Sequence, residues 1–410
     1  MAKGGSLVVG LDIGTTKICC IIGEIRGGGE IDIVGIGKNP SKGLRKGVVI
    51  NIESTVESIK NAVEEAELMA GVEVESAYVG IAGGHIKGFN SHGVIAVKNG
   101  EVTQTDIDRV LDAAQAVAIP PDREVIHILP QEYILDDQEG IKEPVGMSGV
   151  RLEAKVHIVT GAVASAQNIV RTVNRAGLEV NDIVLEQLAS SEAVLDPDEK
   201  ELGVAVVDIG GGTADLAIFI QDCIKHTSVL GIGGNHLTND IAIGLRTPQK
   251  EAEKIKKQYG CACISLVKRD ETIEVPSTGG RDARLLSRHV LSEIIEPRVE
   301  EMFCMIKREI EISGFKDLMS SGLVLTGGTS LLSGMPEVAD RVFKLPIRLG
   351  YPKRVGGLID VVKSTTFATG VGLVLFGQKH LKEGGRQRLN DKNLFEKIFK
   401  RMKTWMEDLM

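Results

Sequence analysis

Apolar positions along this chain fall into short β-branched runs broken by glycine, alternating with longer stretches whose apolar residues recur at helical period. The runs Val204 to Val207 and Leu216 to Ile220 are bounded by glycines and read as two strands of a hairpin. LVVGLDIGTTKICCIIGE, residues 7 to 24, repeats that pattern near the N-terminus. A helix is expected from Ser54 to Ala70, opened by a capping box (Ser54-x-x-Glu57) and stopped by Gly71. Another is expected from about Gln104 to Val117, ending before Pro120-Pro121. Strands at Val125 to Leu129 and Val156 to Val159 bracket the loop DDQEGIKEPVGMSGVRL, and a helix over Ala166 to Ala176 follows. Residues 86 to 162 thus read as a compact insertion, and 285 to 314 as a long helical stretch of the second half.

The chemistry lies in the glycine turns. In VVDIGGGTADLAI (206 to 218), Gly210, Gly211 and Gly212 leave backbone N–H groups clear of side chains, which makes an anion-binding concavity. The Thr213 hydroxyl would be a further donor, and phosphate is the obvious guest. The same turn would also serve as an ordinary tight hairpin. GxxxxGK[ST] is absent, and a strand rather than a helix follows the glycines, so the helix-linked phosphate loops do not fit. Asp12-Ile13-Gly14-Thr15 matches Asp208-Ile209-Gly210-Gly211 at a separation of 196 positions, close to half of 410, which points to a duplicated domain pair closing on one ligand. GLVLTGGTSLLSGM (322 to 335) puts a strand before Gly327-Gly328-Thr329 and a helix-like run after it. A further glycine turn, LGIGGNHLTNDIA, contains Gly234.

Composition bounds the reading. A chain of 410 residues can hold two or more domains, and 3% aromatic with 25% charged residues is the profile of an ordinary soluble cytoplasmic protein. The six cysteines (19, 20, 223, 261, 263 and 304) show no CxxC pairing and read as reduced, buried small hydrophobes. The eight histidines form no ligand-spaced cluster, arguing against a transition metal. MAKGGS runs straight into a strand, leaving no room for a signal peptide, and no apolar run approaches a membrane span. A net charge of −8 argues against nucleic acid as the main partner.

That charge is uneven: residues 379 to 403 hold nine Lys or Arg against three Asp or Glu. From 394 onward, Leu394, Phe395, Ile398, Phe399, Met402, Trp405, Met406, Leu409 and Met410 make one apolar face at helical period, with Lys397, Lys400, Arg401 and Lys403 on the other side or its edges. The pattern fits an amphipathic helix lying in an anionic membrane surface; a core-docked terminal helix or a helix for a partner protein are the other readings. Residues 379 to 393 read as a flexible linker.

The four glycine stretches, in this order, resemble the actin-like ATPase superfold shared by actin, sugar kinases and heat-shock chaperones. Within it, ELMAGVEVESAYVGIAGGHIKG, LPQEYILDDQEGIKEPVGMSGVRLEAKVHIVTG and EIIEPRVEEM look like the FtsA family of bacterial division proteins, and the resemblance spans essentially the whole chain. It implies an α/β, two-lobed fold of duplicated ribonuclease-H-like domains: subdomain 1A over 1–85 and 163–198, a relocated small subdomain (1C) over 86–162, 2A over 199–238 and 315–378, and 2B over 239–314. It implies ATP and Mg2+, with Gly14, Thr15, Thr16 and Lys17 as the first phosphate loop and Gly210, Gly211, Gly212 and Thr213 as the second. Asp12 and Asp208 would hold magnesium through waters, Gly234, Gly327, Gly328 and Thr329 would face the adenosine, and Glu253 and Lys256 would reach the ribose, a solvated helix face being the other reading of EAEKIKK. Glu186 stands where relatives hold a water-positioning residue. The implied function is an ATP-binding filament former, at most a slow ATPase. It would tether the FtsZ ring to the cytoplasmic face of the membrane and recruit later division proteins through the inserted subdomain. Arg298 and Glu301 are the candidates for the FtsZ C-terminal tail. A small-molecule kinase of the same superfold would need an acceptor motif, which the sequence lacks, and a chaperone would need a substrate domain after residue 380.

Overall fold

The structure, a computed structural model, describes residues 6–277, 279 and 281–383. The amphipathic segment 394–410, and most of the linker before it, lie outside the described residues.

The chain opens with three antiparallel strands, β1 (Ser6–Ile13), β2 (Lys17–Ile25) and β3 (Ile31–Pro40), then a two-residue-strand hairpin, β4 (Leu44–Arg45) and β5 (Val48–Val49). Helix α1 (Ile52–Ala70) starts earlier than expected because Asn51, not Ser54, caps it: the Asn51 side chain accepts the Ser54 N–H. It ends, as expected, at Gly71 in the left-handed conformation. Strand β6 (Ser76–Ile81) then runs parallel to β1.

The next segment builds its own sheet from β7 (Lys87–Ala96), β8 (Arg123–Leu135), β9 (Gln138–Ile141) and β10 (Arg151–Ala162), in the order β7-β10-β8-β9, with α2 (Gln104–Gln115) packed on it. The stretch expected as a loop between the flanking strands contains β9. Val110, Ala114, Leu152, Val156 and Ile158 form a separate core here.

The chain returns through α3 (Val163–Arg175) to β11 (Glu179–Leu185), parallel to β6, then α4 (Glu186–Val194) and α5 (Pro197–Leu202). The pattern then repeats. β12 (Val204–Ile209), β13 (Ala214–Ile220) and β14 (Cys223–Leu230) form a second antiparallel meander, followed by α6 (Gly234–Gly244), α7 (Gln249–Tyr259), the hairpin β15 (Thr272–Val275) and β16 (Arg284–Ser287), and α8 (Arg288–Ser313). The first residues of the expected long helix are spent on β16. Strand β17 (Leu323–Thr326), helix α9 (Met335–Phe343), strands β18 (Ile347–Leu349) and β19 (Gly356–Gly357), and helices α10 (Ile359–Val362) and α11 (Ala368–Glu383) complete the described chain.

The sheet orders expose the duplication. β11-β6-β1-β2-β3-β19 and β14-β13-β12-β17-β18 each contain a meander whose first strand continues into two parallel neighbours. Helices α4 and α11 pack against each other and against the inner strands, so one core reaches from Leu11 and Ile21 through Ala189 and Val374 to Val206 and Phe219. The far face of the second sheet packs on α6, α8 and α9 through Leu237, Phe303 and Val338. The two hairpin turns, after β1 and after β12, lie at equivalent positions of the two halves.

The cysteines differ from expectation in part. All six are free, but Cys304 is exposed on α8 and Cys223 only half-buried, because the helical face of Cys304 is not one that packs.

Candidate functional site

Each glycine turn is closed by one backbone bond, Gly14 N–H to Lys17 O (3.0 Å) and Gly210 N–H to Thr213 O (2.9 Å). The next two amides of each turn, Thr15, Thr16, Gly211 and Gly212, have no acceptor among the described residues. The turns face each other closely. A β-carbon on Gly211 would collide with the Thr16 side chain, and one on Gly212 would lie 2.6 Å from Thr15 Oγ1, so only glycine permits this approach.

Asp12 and Asp208 end the strands that lead into the turns, and both are buried. Asp12 Oδ2 is paired with Lys17 Nζ at 2.6 Å. Burial works against the Lys17 charge, but Asp12 outweighs it and holds the ammonium above its ordinary value. Asp208 Oδ2 accepts from Thr369 Oγ1 at 3.0 Å, and burial together with Asp12 pushes its carboxyl up to about 6. Directly across the hairpin, Asp215 is raised well above the ordinary range by burial and by Asp208. The Thr213 hydroxyl, expected to face outward as a donor, is committed to Asp215 Oδ2 at 2.9 Å. Glu186, the first residue of α4, is raised by burial and then by Asp12, Asp215 and Asp208; its Cγ lies 3.2 Å from the position a β-carbon on Gly80 would take.

This crowding of carboxylates is the electrostatic signature of a site suited to a cation. The buried Oδ1 of Asp215 has no hydrogen-bond partner among the described residues. An oxygen-only donor set of Asp12 and Asp208 fits Mg2+, which keeps several waters, rather than a metal needing a closed protein cage. Among the described residues no group of three or more His, Cys, Asp or Glu side chains is placed to hold a metal by itself.

The second half supplies the other wall. Gly234 and Asn235 donate their N–H groups to Gly210 O (3.0 Å) and Gly211 O (2.8 Å), seating the start of α6 on the second turn. Thr329 Oγ1 donates to the same Gly210 carbonyl at 2.8 Å. Gly327 takes φ +85 immediately against Asp208, and a β-carbon on Gly328 would find its nearest neighbour 3.8 Å away, leaving an open surface there. Glu253 and Lys256 point inward from α7: Lys256 Nζ bonds Gly234 O (2.9 Å), Thr238 Oγ1 (2.8 Å) and Glu253 (2.7 Å). The structure thus brings together Gly14 to Lys17, Gly210 to Thr213, Asp12, Asp208, Glu186, Gly234, Glu253, Lys256 and Gly327 to Thr329. It does not bring Arg298 and Glu301 to this site. They lie on α8, where Arg298 binds Asp240 of α6 (Nη2 to Oδ1, 3.2 Å) and its neighbour Glu301. Sequence reading missed Thr369, Asp215 and Thr238. Only Asp215 carried a signal, as the acidic residue inside an apolar strand.

The described helices include none long and apolar enough to cross a membrane. The family "Cell division protein FtsA" matches residues 205–372, and the "SHS2 domain inserted in FTSA" matches residues 83–160. Cell division protein FtsA of Pseudomonas aeruginosa is 52% identical over 99% of this chain and 98% of its own length, and that of Escherichia coli K12 is 42% identical over 99% and 98%. Among solved structures, the PilM-PilN type IV pilus biogenesis complex covers 90% of this chain and 98% of that one at TM-score 0.66 and 17% identity. MreB5 of Spiroplasma citri bound to ADP covers 92% and 97% at TM-score 0.55 and 16% identity, and the MamK double helical filament 91% and 98% at 0.53 and 13%. The fold is therefore actin-like.

Proposed function

Because this chain belongs to the FtsA family of cell division proteins, we propose that it binds ATP between its two glycine turns, self-assembles, and tethers the FtsZ ring to the cytoplasmic face of the membrane. The observation that carries the nucleotide reading is the pair of opposed turns with four unpaired amides, flanked by two buried aspartates. Thr15, Thr16, Gly211 and Gly212 offer their amides to the phosphates, and Gly14 and Gly210 close the turns that present them. Lys17 and Asp12, paired at 2.6 Å, lie together at the phosphate end. The open surface at Gly328, beside Gly327 and Thr329, accepts a flat base, and Glu253 and Lys256, anchored on Gly234, stand at the ribose. Mg2+, held by Asp12 and Asp208 through water, would supply charge neutralisation for the phosphates. Glu186 orients water. Turnover is at most slow, and nucleotide serves chiefly to hold the halves together.

The ADP-bound MreB5 and filamentous MamK neighbours support nucleotide binding and self-association on this fold. The subdomain division at 1–85 with 163–198, 86–162, 199–238 with 315–378, and 239–314 is proposed on the same basis, with the inserted unit recruiting later division proteins. Arg298 and Glu301 are assigned to the FtsZ tail. Since Asp240 already engages Arg298, exposed Glu301 is the freer of the two.

Membrane attachment rests on Leu394, Phe395, Ile398, Phe399, Met402, Trp405, Met406 and Leu409 with the lysines around them. Such side chains, half-buried at about 1 kcal/mol each, give one tail reversible affinity, and a polymer displaying many tails binds avidly. The test is sedimentation with anionic liposomes, with and without Mg-ATP, comparing the full chain with one ending at Asn393. The full chain alone should pellet, and more completely with Mg-ATP. If both forms stay soluble, the anchoring reading is wrong.

A further inference from the structure

The hairpin between β4 and β5 is inserted beside the two glycine turns, and its tip is Lys46-Gly47. Lys46 takes φ +50 and Gly47 φ +76, the left-handed pair that a two-residue hairpin turn requires. Glycine, asparagine and aspartate suit the first of these positions; a lysine there holds a conformation uncommon outside glycine, of the kind that persists where a side chain is needed at that spot. The tip is fixed in place. Gly47 N–H donates to Thr15 Oγ1 at 3.0 Å, tying the hairpin to the first turn. On the other side, a β-carbon on Gly212 would lie 3.1 Å from Lys46 Cα, and one on Gly231 would lie 3.6 Å from both Lys46 Cδ and Nζ. The lysine leaves the first half of the molecule and its ammonium ends beside the second.

Among the described residues, Lys17 and Lys256 also stand at this site. Lys17 is committed to Asp12, and Lys256 to Glu253, Thr238 and Gly234. Lys46 has no hydrogen bond or ion pair among the described residues. A lysine that crosses from one half to the other without a carboxylate partner, next to four unpaired amides, is placed for an anion. We infer that Lys46 is a phosphate-contacting residue of this site, supplied from the first half to the terminal phosphate of a nucleoside triphosphate where the two turns meet. This rests on the nucleotide reading above and adds a consequence to it: Lys46 is engaged by a triphosphate and largely idle with a diphosphate, so it makes the closeness of the two halves depend on which nucleotide is bound.

The test uses the full chain and titrates Mg-ATP and Mg-ADP calorimetrically into the unaltered protein, Lys46→Gly and Lys46→Arg. Glycine suits φ +50 better than lysine, so Lys46→Gly keeps the turn while removing the charge; a thermal melt checks that it folds. Lys46→Gly should weaken Mg-ATP at least tenfold and Mg-ADP less than threefold, and Lys46→Arg should stay within threefold of the unaltered protein for both. Unchanged Mg-ATP affinity in Lys46→Gly, or equal loss of both nucleotides, overturns the assignment. If the unaltered protein binds neither nucleotide, the nucleotide reading itself falls, a result distinct from either.

Discussion

His157 of β10 offers the sharpest test of how the inserted sheet is held to the second half. Its ring is buried between Asn90 of β7 and Thr227 of β14, with Nδ1 2.7 Å from Asn90 Oδ1 and Nε2 2.8 Å from Thr227 Oγ1. Asn90 Oδ1 also accepts from Gln131 Nε2, whose amide donates as well to Ile224 O at 2.8 Å. An acceptor at Asn90 fixes the proton on Nδ1 and leaves Nε2 to accept from the Thr227 hydroxyl. A neutral ring satisfies every bond; a protonated one would turn the Thr227 hydroxyl from donor to acceptor and bring a charge into a buried site. Burial, with His226 adding like charge, lowers the His157 pKa to about 4. An opened histidine binds its proton near 6.5 and the docked one does not, so the contribution of this contact to stability is intact at neutral pH and is lost as pH falls from 6.5 toward 4. Between pH 7.5 and 5 the loss is about 2 kcal/mol, a factor of about 30 in the opening equilibrium. The assay is hydrogen exchange of β14 and β7 amides at the two pH values, corrected for intrinsic rates, in the unaltered protein and in His157→Gln, whose amide can still donate and accept but does not titrate. His127 and Asp208 are present in both proteins and cancel in the comparison. Protection should fall about 30-fold in the unaltered protein and less than threefold further than its own baseline in His157→Gln. An equal pH response in the two would refute the depressed pKa and the neutral clasp with it.

Asp12→Asn removes the partner of Lys17 and one of the two carboxylates assigned to magnesium. It should cost about 2 kcal/mol in urea unfolding and weaken Mg-ATP binding at least tenfold, and a variant unaffected in both would remove Asp12 from the site. Glu186→Gln removes one of the mutually repelling carboxylates, so nucleotide affinity should hold or rise while phosphate release slows by about 100-fold; unchanged release would show that Glu186 does not orient the water.

The two half-sheets were legible because a hairpin strand carries its own signature, a β-branched run of few residues ending in Asp-x-Gly, and the same signature occurs twice. The turn amides followed from the glycines themselves. What the sequence concealed was of two kinds. Local competition moved boundaries: Asn51 and Ser54 can both cap α1, and the side chain of Asn51 reaches the Ser54 amide. Long-range polar contacts carry no period at all. Nothing near Gly234 announces that its amide will bond Gly210, or that Thr369, 161 residues along from Asp208, will donate to that carboxylate. The Thr213 hydroxyl belongs to the same class, turned inward by an aspartate two residues away. The Lys46-Gly47 tip carries little turn signal because lysine is not a turn-forming residue, which is also why its presence there is informative.

Helices α4 and α11 join these separate contacts mechanically. Glu186 begins α4 within the carboxylate cluster, and six residues on, Glu192 is bound by Lys200 of α5 at 2.7 Å and by Lys379 near the end of α11. Burial alone would raise the Glu192 carboxyl, but the two lysines outweigh it and hold it below the ordinary range. α11 in turn begins one residue before Thr369, the donor to Asp208. Its ring of Phe376 packs on His127, whose Nε2 accepts the Leu185 N–H at 3.0 Å, directly ahead of Glu186. The two helices are therefore fastened to each other, to the inserted sheet and to both aspartate-bearing halves. A 16-residue helix is about 24 Å long and does not compress. The Thr369 contact to Asp208 at the start of α11 and the Lys379 contact to Glu192 near its end are thus held in fixed relation by one rigid element.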